Sequence, residues 1–457
     1  MDKGHKRYDG KLVLAVCLAV LTYWLFAQSF VNIGGSVQQT FNISDSTLNL
    51  AISLVSFTTG LLMVLAGDVA DRIGNLKLVI IGLLLNIIGC ILLIVTPLTA
   101  FLLIGRVFQG LSAAILLPAT VGLLSTQFEE ENLRKVLSYL MIVTVGGVGF
   151  ASVVGGAISV FLNWQANFII SIIISVIALV ILSRVKENKV TVETRKFDYF
   201  GMVVFAIFIM SINVLLTEGL QFGLLSILTL SLLVIAILSF VVLYFFERKL
   251  RHPFIDFSIL KNRAFMGSTL NNFIVNTGIG TTVVFNMYAQ QAFGMSEVQT
   301  GLVTVPYVIM AIVMVRIGEK AINIYGGKNM LIAGPLFPAI GVVLISMTFL
   351  PQPIYIAVVT IGFVICAIGT GLVATPGLTI AIFNMPQEKV SFATGLYKMG
   401  ATLGGAFGLA LVPTLYTIFQ NFFTMSAAAS GAFWFGVILM LIGVLSAYVI
   451  IPKHIKA

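Results

Sequence analysis

Charged residues are scarce in this sequence. Of its 457 residues, only 9% are charged and 59% are hydrophobic, whereas a soluble domain carries about 25% charged residues. So few charges cannot cover a water-exposed surface on a chain of this length, which excludes an ordinary soluble globular protein. Because lipid must replace water as the solvent for most of the surface, we expect a protein embedded in a membrane.

Cysteine and histidine are also rare, and their positions exclude further classes. The three cysteines, Cys17, Cys90 and Cys366, fall in apolar stretches without the spacing of a disulfide framework or a metal site. The three histidines lie in polar ends or loops. Since no nucleophile–base pair or metal cluster is visible, we expect neither an enzyme nor a bound metal or other cofactor.

Long apolar stretches follow one another along the chain. A helix needs roughly 20 apolar residues to cross the hydrocarbon core of a bilayer. We therefore predict an all-α membrane protein with fourteen transmembrane helices. The predicted helices are residues 11–34, 46–66, 76–96, 99–124, 135–161, 165–184, 199–217, 221–246, 265–290, 297–318, 328–349, 354–383, 390–420 and 430–452.

The basic residues fall almost entirely on one side of these helices. Of the 26 lysines and arginines, all except Arg106 and Lys398 lie at a terminus, loop or helix end that the alternation of helices puts on the same side. Because basic loops stay in the cytoplasm, we predict a multi-pass cell-membrane protein with both termini cytoplasmic. This placement accounts for the net charge of +9 without a nucleic-acid partner, and it suits contact with anionic lipid.

Two longer polar loops, at residues 183–199 and 247–263, divide the chain. They predict an N-terminal six-helix bundle at 11–184, a two-helix insertion with cytoplasmic flanking loops at 185–264, and a C-terminal six-helix bundle at 265–452. Paired bundles of this kind are common in secondary transporters, where the binding site lies at their interface near the middle of the membrane. This 6+2+6 arrangement therefore favours a transporter.

The segment after the second predicted helix reads GDVADRIGNLK. It resembles the signature loop of the major facilitator superfamily, G-x-L-A-D-R-x-G-R-R/K. The matching residues are Gly67, Ala70, Asp71, Arg72 and Gly74. Asn75 and Leu76 replace the two closing basic residues, and Lys77 follows one position late.

Glycine permits close approach and tight turns, and a carboxylate near a helix end can face the N-terminus of a neighbouring helix or an arginine. The resemblance therefore implies a gate on the cytoplasmic side. The implied gating residues are Gly67, Asp68, Asp71, Arg72 and Gly74. The alternative is an ordinary charged loop on the inner side of the membrane.

The fourth predicted helix contains the segment RVFQG, which begins at Arg106 and resembles the R-x-x-Q-G motif of the same superfamily. An arginine within an apolar helix costs at least a few kcal/mol, so it should face the protein interior with a partner. Two interpretations stay open. Arg106 either couples transport to protons or contacts substrate, or it is a structural arginine hydrogen-bonded to backbone carbonyls.

Glycine-rich segments extend the resemblance. The fifth helix, with Gly146, Gly147, Gly149, Gly155 and Gly156, partly resembles the antiporter motif of the superfamily. The chain as a whole is similar to the fourteen-helix drug:proton antiporters, and among them to the Nor-type quinolone exporters of Gram-positive bacteria. This resemblance implies a monomer that exports small amphipathic drugs by alternating access. Its driving force would be the proton gradient, without a cofactor.

Acidic side chains are missing from the interior of the predicted helices. Many members of the family that this chain resembles carry an aspartate in the first helix, where Ala27 stands here. We therefore predict that Arg106 couples to protons together with two acids near helix ends, Glu218 and Glu319. The missing carboxylate also disfavours dicationic substrates.

Isolated amide side chains in the apolar helices are the candidates for substrate binding. They are Gln28 and Asn32 in the first predicted helix and Asn272 and Asn276 in the ninth. Such residues can equally serve as hydrogen-bond links between helices. Both interpretations stay open for each of the four.

Two other functions also stay open. A proton-coupled symporter or facilitator for a small nutrient would concentrate polar and charged groups in its site, and this sequence has few. A proton-translocating subunit of a respiratory complex can have fourteen helices, but it needs a file of charged residues within the membrane. Here the deep charges are Arg106 and Lys398, and the Asp68–Arg72 segment would have no role in that function.

Overall fold

A computed structural model describes residues 10–185, 198–223, 226–250 and 258–452. All regular secondary structure in these residues is helical. The chain forms two compact units. The first consists of Met1–Arg195 and Pro386–Leu396, and the second of Lys196–Met385 and Tyr397–Ala457.

Helices follow one another with short connections throughout the described residues. In the first part of the chain they are α1 (Gly10–Leu21), a π-helix (Thr22–Ala27), α2 (Phe30–Phe41), α3 (Asp45–Ile73), α4 (Asn75–Val95), α5 (Thr99–Gln127), α6 (Glu130–Phe161) and α7 (Trp164–Leu182). They continue as α8 (Tyr199–Phe222), α9 (Ile227–Glu247), α10 (Ser258–Lys261), α11 (Arg263–Thr277), α12 (Ile279–Phe293), α13 (Glu297–Tyr325), α14 (Gly327–Ile345), α15 (Gln352–Phe383), a 3-10 turn (Gln387–Lys389), α16 (Val390–Gln420) and α17 (Met425–Ile450).

Within the described residues, twelve helices are long and apolar enough to cross a membrane. Of the fourteen predicted helices, 199–217 and 265–290 are not among these twelve. The first of them qualifies only as a shorter apolar helix at Tyr199–Ile212. The other is interrupted at Gly278, which leaves α11 and α12 with 15 residues each. The structure therefore shows an all-helical, multi-pass membrane protein, and the count of fourteen stays a prediction.

The predicted loop after residue 66 is instead helical. Helix α3 continues to Ile73, and an ion pair between Asp68 and Arg72 joins adjacent turns at 2.7 Å. Nothing in the sequence stops the helix before Gly74, whose φ of 108° lies in the left-handed region that favours glycine. Because this residue alone separates α3 from α4, the signature segment is a helix end followed by a one-residue turn.

The first predicted helix, 11–34, is irregular in the structure and extends to Phe41. Its middle forms the π-helix, and at the end of this π-helix the backbone N–H of Gln28 donates to the Tyr23 carbonyl at 3.2 Å. The carbonyl of Phe26 accepts from Asn167 Nδ2 of α7 at 3.0 Å. Single π-turns of this kind frequently occur at functional sites, and here a side chain from a neighbouring helix holds the irregular backbone.

The two units repeat one packing feature. In the first unit, a Cβ on Gly89 of α4 would lie 2.9 Å from the carbonyl oxygen of Gly105 in α5. In the second, a Cβ on Gly362 of α15 would lie 2.7 Å from the carbonyl oxygen of Gly341 in α14. Small residues let membrane helices approach closely. The repeated contact accords with two related bundles, while the boundaries 11–184, 185–264 and 265–452 stay predictions.

Candidate functional site

The last turn of α3 meets the segment Pro386–Leu396 within the first unit. The carboxylate of Asp71 accepts two backbone hydrogen bonds there, from Ser391 N to Oδ1 at 3.1 Å and from Phe392 N to Oδ2 at 2.8 Å. The first N–H groups of a helix have no partner within that helix and carry partial positive charge. Asp71 therefore caps the N-terminus of α16.

Close backbone contact surrounds this cap. A Cβ on Gly67 would lie 2.5 Å from the Ser391 carbonyl oxygen and 3.0 Å from Phe392 Cα. A Cβ on Gly395 would likewise lie 2.8 Å from the carbonyl oxygen of Met63 in α3. The segment 386–396 and α3 are thus in contact through their backbones, which only glycine permits at residue 67.

The other predicted gating residues lie in the same region. Arg72 and Asp68 pair at 2.7 Å on α3, with side chains 10% and 15% exposed. Gly74 forms the turn to α4. The structure therefore places four of the five predicted gating residues within the final turns of α3 and the fifth, Gly74, in the turn that follows. It brings Asp71 and Gly67 directly against the start of α16. Their gating role itself stays a prediction.

Arg106 of α5 is 2% exposed, and acceptors of the first unit surround its guanidinium. Nε donates to the carbonyl of Ala51 at 2.9 Å, and Nη1 donates to the carbonyl of Ala27 at 3.2 Å and to Gln109 Oε1 at 2.7 Å. The guanidinium carbon lies 4.1 Å from the centre of the Phe30 ring, which is a cation–π contact. In the part of the chain that the structure describes, no carboxylate pairs with Arg106.

The charge of Arg106 is therefore balanced by carbonyl dipoles, one amide and one aromatic ring. These contacts join α5 to α3 and to the π-helix. Backbone carbonyls are the partners expected for a structural arginine. These contacts do not test the predicted role of Arg106 in proton coupling.

Further buried hydrogen bonds connect Arg106 to α4 and α7. Gln109 Nε2 donates to Cys90 Sγ at 3.4 Å, and the Cys90 thiol donates to Asn86 Oδ1 at 3.8 Å. Asn86 Nδ2 donates to Ser171 Oγ at 3.0 Å. This connected network fixes the orientation of each amide, and it joins α5 to α4 and α7.

The candidate substrate-binding amides lie in separate units. In the first unit, Gln28 Nε2 donates to Tyr23 Oη at 2.9 Å. In the second, Asn276 Nδ2 donates to the Asn272 carbonyl at 2.7 Å, and Asn272 Nδ2 donates to the carbonyl of Tyr397 at 2.9 Å. The structure thus brings Asn272 and Asn276 together, and both interpretations of these amides stay open.

Two predicted side chains, those of Asn32 and Glu218, lie outside the residues whose side chains the structure describes. The remaining proton-coupling candidate, Glu319 of α13, forms an ion pair with Arg316 at 3.0 Å. The Glu319 side chain is 13% exposed. It is therefore paired on its own helix, one turn from its partner.

Several residues in these contacts are absent from the predicted sites. The sequence could have pointed to Gln109 and Asn86, because isolated polar residues in apolar helices need hydrogen-bond partners. Gln109 also stands three positions after Arg106. No sequence feature could have pointed to Ser391 and Phe392, since Asp71 accepts hydrogen bonds from their backbone N–H groups. Such groups are the same in every residue except proline.

Comparison with known sequences identifies a family and relatives that match nearly the whole chain. A family profile described as Major Facilitator Superfamily matches residues 12–408 and, separately, 264–456. Two proteins named Quinolone resistance protein NorB, from the COL and Newman strains of Staphylococcus aureus, are similar to this chain. Each is 38% identical over 458 residues, and the match covers 99% of this chain and 99% of the relative.

Two solved structures share the fold. The proton:xylose symporter XylE is 15% identical, and the match covers 97% of this chain and 95% of that chain with a TM-score of 0.65. The human organic anion transporter MFSD10 (TETRAN) is 14% identical, with 96% and 98% covered and a TM-score of 0.67. At these identities the likeness shows the fold alone.

Proposed function

The chain belongs to the major facilitator superfamily, and from this premise we propose that it exports amphipathic drugs, quinolones among them, in exchange for protons. The observation that carries the proposal is the 38% identity to quinolone resistance proteins over 99% of both chains. The scarcity of charged side chains in the helices also favours apolar substrates over sugars or other polar nutrients.

The same proposal includes the architecture. We propose fourteen transmembrane helices in a 6+2+6 arrangement, a monomer in the cell membrane and both termini in the cytoplasm. Each of the fourteen predicted segments is helical over most of its length. The inside bias of lysine and arginine supports the orientation.

Proton coupling is proposed to involve Arg106, Glu319 and Glu218. Arg106 supports it through its position, since its Nη1 binds the last carbonyl of the π-helix. A protonation event that altered this contact would change how the first helix is held against α5. The proton gradient would then drive transport without a bound cofactor.

Substrate contacts are proposed at the four amides of the first and ninth predicted helices, Gln28, Asn32, Asn272 and Asn276. The two breaks in helix geometry lie close to them. The π-helix ends directly before Gln28, and α11 ends directly before Gly278. Broken helices commonly form substrate sites in secondary transporters, because their backbone is locally irregular.

Drug accumulation in intact cells tests the function. Cells that produce the protein should accumulate less fluoroquinolone than matched cells without it, and a proton uncoupler should abolish the difference. A difference that survives the uncoupler would contradict proton coupling. If drug levels are unchanged and the cells instead take up a nutrient in a proton-driven way, the protein is a symporter and the proposed export function is wrong.

The charge of the substrate provides a separate prediction. Ala27 is 1% exposed, and its carbonyl is 3.2 Å from Arg106 Nη1, so this part of the first helix offers no carboxylate to a cation. We expect better export of zwitterionic fluoroquinolones than of dicationic antiseptics. Ala27→Asp supplies the carboxylate that many members of the family carry at this position, and it should shift this ratio severalfold toward the dications.

Resistance measurements on expressing strains check this prediction. Ala27→Asn is the matched control, because it adds a side chain of the same size without a charge. A wild-type protein that exports dications as well as fluoroquinolones would contradict it. So would an asparagine variant with the same gain as the aspartate variant.

A further inference from the structure

The three tryptophans of this chain differ in how their indole N–H groups are satisfied. Trp164 Nε1, in α7, donates to Thr40 Oγ1 at 3.0 Å. Trp434, in α17, is 49% exposed. Trp24 Nε1, in the π-helix, is buried and has no hydrogen-bond acceptor among the described residues. Trp24 is therefore an exception to the rule that a buried indole N–H finds a partner.

The unused donor of Trp24 needs a physical explanation. Burying an N–H group without an acceptor destabilises a fold, and an apolar side chain at the same position would avoid this cost. Trp24 does not link two helices through its indole nitrogen, as Trp164 does with Thr40. A buried donor that the protein itself leaves without an acceptor is available to a ligand that brings one.

Neighbouring residues of the first unit hold the Trp24 ring in place. A Cβ built on Gly147 of α6 would lie 2.7 Å from Trp24 Cβ, so the π-helix packs directly on α6. The Tyr23 ring meets the Trp24 ring edge-on, with centroids 4.7 Å apart and planes at 64°. Trp24 nevertheless stays only half-buried. A fixed aromatic ring with an accessible part is a common feature of sites that bind planar molecules.

The amide nitrogen of the adjacent substrate candidate is already used. Gln28 Nε2 donates to Tyr23 Oη at 2.9 Å, and Tyr23 is 6% exposed. This bond engages the amide nitrogen of Gln28 within the protein. Trp24 therefore offers to a ligand a donor that Gln28 does not.

The charge near the π-helix favours one class of ligand. Arg106 Nη1 donates to the carbonyl of Ala27, the last residue of the π-helix, and no carboxylate pairs with Arg106 in the described part of the chain. Its positive charge favours an electronegative group beside the π-helix over a cation. An indole N–H is a donor only. Both features select a planar aromatic molecule with a carboxylate or carbonyl oxygen at its edge.

We propose that Trp24 is a substrate-contact residue. Its N–H donates to an oxygen of the drug, and its ring packs against the aromatic plane of the drug. The inference rests on the proposed function, and it names the part of a quinolone that the first helix recognises, namely the edge with the neighbouring ketone and carboxylate. Gly147 is a positioning residue, because it leaves the space that Trp24 occupies against α6.

Equilibrium binding of norfloxacin to the full-length protein in lipid nanodiscs tests the donor. Trp24→Phe keeps an aromatic ring but removes the N–H, and it should weaken norfloxacin binding about tenfold, the effect of one hydrogen bond to a charged acceptor. Trp434→Phe makes the same chemical change at an exposed position, and it should bind norfloxacin like the wild type. Trp164→Phe should lower thermal stability through the loss of its bond to Thr40, without weakening the binding of drug.

Nuclear magnetic resonance of the nitrogen-15-labelled indoles shows the hydrogen bond itself. The three tryptophans supply three indole N–H signals, and Trp24→Phe identifies the one that belongs to Trp24. Norfloxacin should move this proton signal downfield and leave that of Trp164 in place. Tetraphenylphosphonium has no hydrogen-bond acceptor, so it should cause no downfield shift whether or not it binds.

A change at Gly147 tests the placement of the ring. Gly147→Ala puts a methyl group where Trp24 Cβ lies, and it should weaken norfloxacin binding severalfold in protein that thermal unfolding shows to be folded. Gly35→Ala is the matched control in α2, because a Cβ there meets nothing within 4 Å, and it should bind norfloxacin normally.

The outcomes separate this contact from the proposed function. Wild-type affinity for norfloxacin in Trp24→Phe would overturn the inference, and it would leave the proposed drug export intact. So would a Trp24 signal that lies downfield without drug and does not move at saturating norfloxacin, because a bound water would then satisfy the donor. A wild-type protein that binds no norfloxacin would overturn both the contact and the proposed quinolone substrate.

Discussion

Replacing Asp71 by asparagine is expected to lower drug export at least about tenfold in a protein that still folds and inserts. The carboxylate accepts two backbone hydrogen bonds from the start of α16, at 3.1 and 2.8 Å. An amide has only one accepting oxygen, so its NH2 group must face an N–H donor. Losing one charge-assisted hydrogen bond costs about 1.5–3 kcal/mol, which is a factor of about ten or more.

The measurement is drug export per molecule of folded protein in the membrane. Glu388→Gln is the matched control, because it makes the same chemical change on an exposed residue of the segment 386–396, and it should export normally. Asp71→Glu keeps the charge but lengthens the side chain, so partial activity is expected. Normal export by Asp71→Asn would remove the gating role from this residue.

Arg106→Lys is the second change with a large expected effect. Lysine keeps the positive charge but loses the planar fork through which arginine reaches the carbonyls of Ala51 and Ala27 and the amide of Gln109. We expect a well-expressed protein that pumps poorly against a gradient, by about tenfold or more. The reason is that the π-helix would no longer be held against both α3 and α5. Drug binding should survive.

Proton-driven uptake into reconstituted vesicles, normalised to folded protein and compared with equilibrium drug binding, separates the two interpretations of Arg106. Arg184→Lys, at an exposed position after α7, controls for the exchange of side chains. Full pumping by Arg106→Lys, or loss of folded protein as its only defect, would mean that Arg106 is purely structural.

The helix boundaries show which structural features a local sequence pattern can predict. The apolar stretches correctly indicated where helices lie, because burial in lipid depends on a local run of residues. The same stretches did not reveal that α3 continues through the signature segment to Ile73, since the Asp68–Arg72 ion pair extends the helix beyond its apolar part. Nor did they reveal the π-helix at Thr22–Ala27, which Asn167 and Arg106 contact from other helices.

The candidate sites show the same limit. The spacing of Gly67, Asp71 and Gly74 indicated a close approach near a helix end, and the structure places Gly67 against Ser391 there. The motif around Arg106 indicated a buried charge that needs partners. Apart from Gln109, which stands in the same motif as Arg106 and accepts a hydrogen bond from it, neither pattern indicated which partners these are.

By itself, the sequence determined that lipid surrounds most of this protein, that the protein is helical, and to which family it belongs. These depend on composition and on motifs that lie within a few residues of one another. Only the tertiary structure decided that Asp71 binds a backbone group 320 positions away along the chain, and that the carbonyls of Ala51 and Ala27 accept hydrogen bonds from Arg106. The physical reason is that backbone N–H and C=O groups are nearly the same in every residue, so no sequence pattern marks the ones that the fold will use.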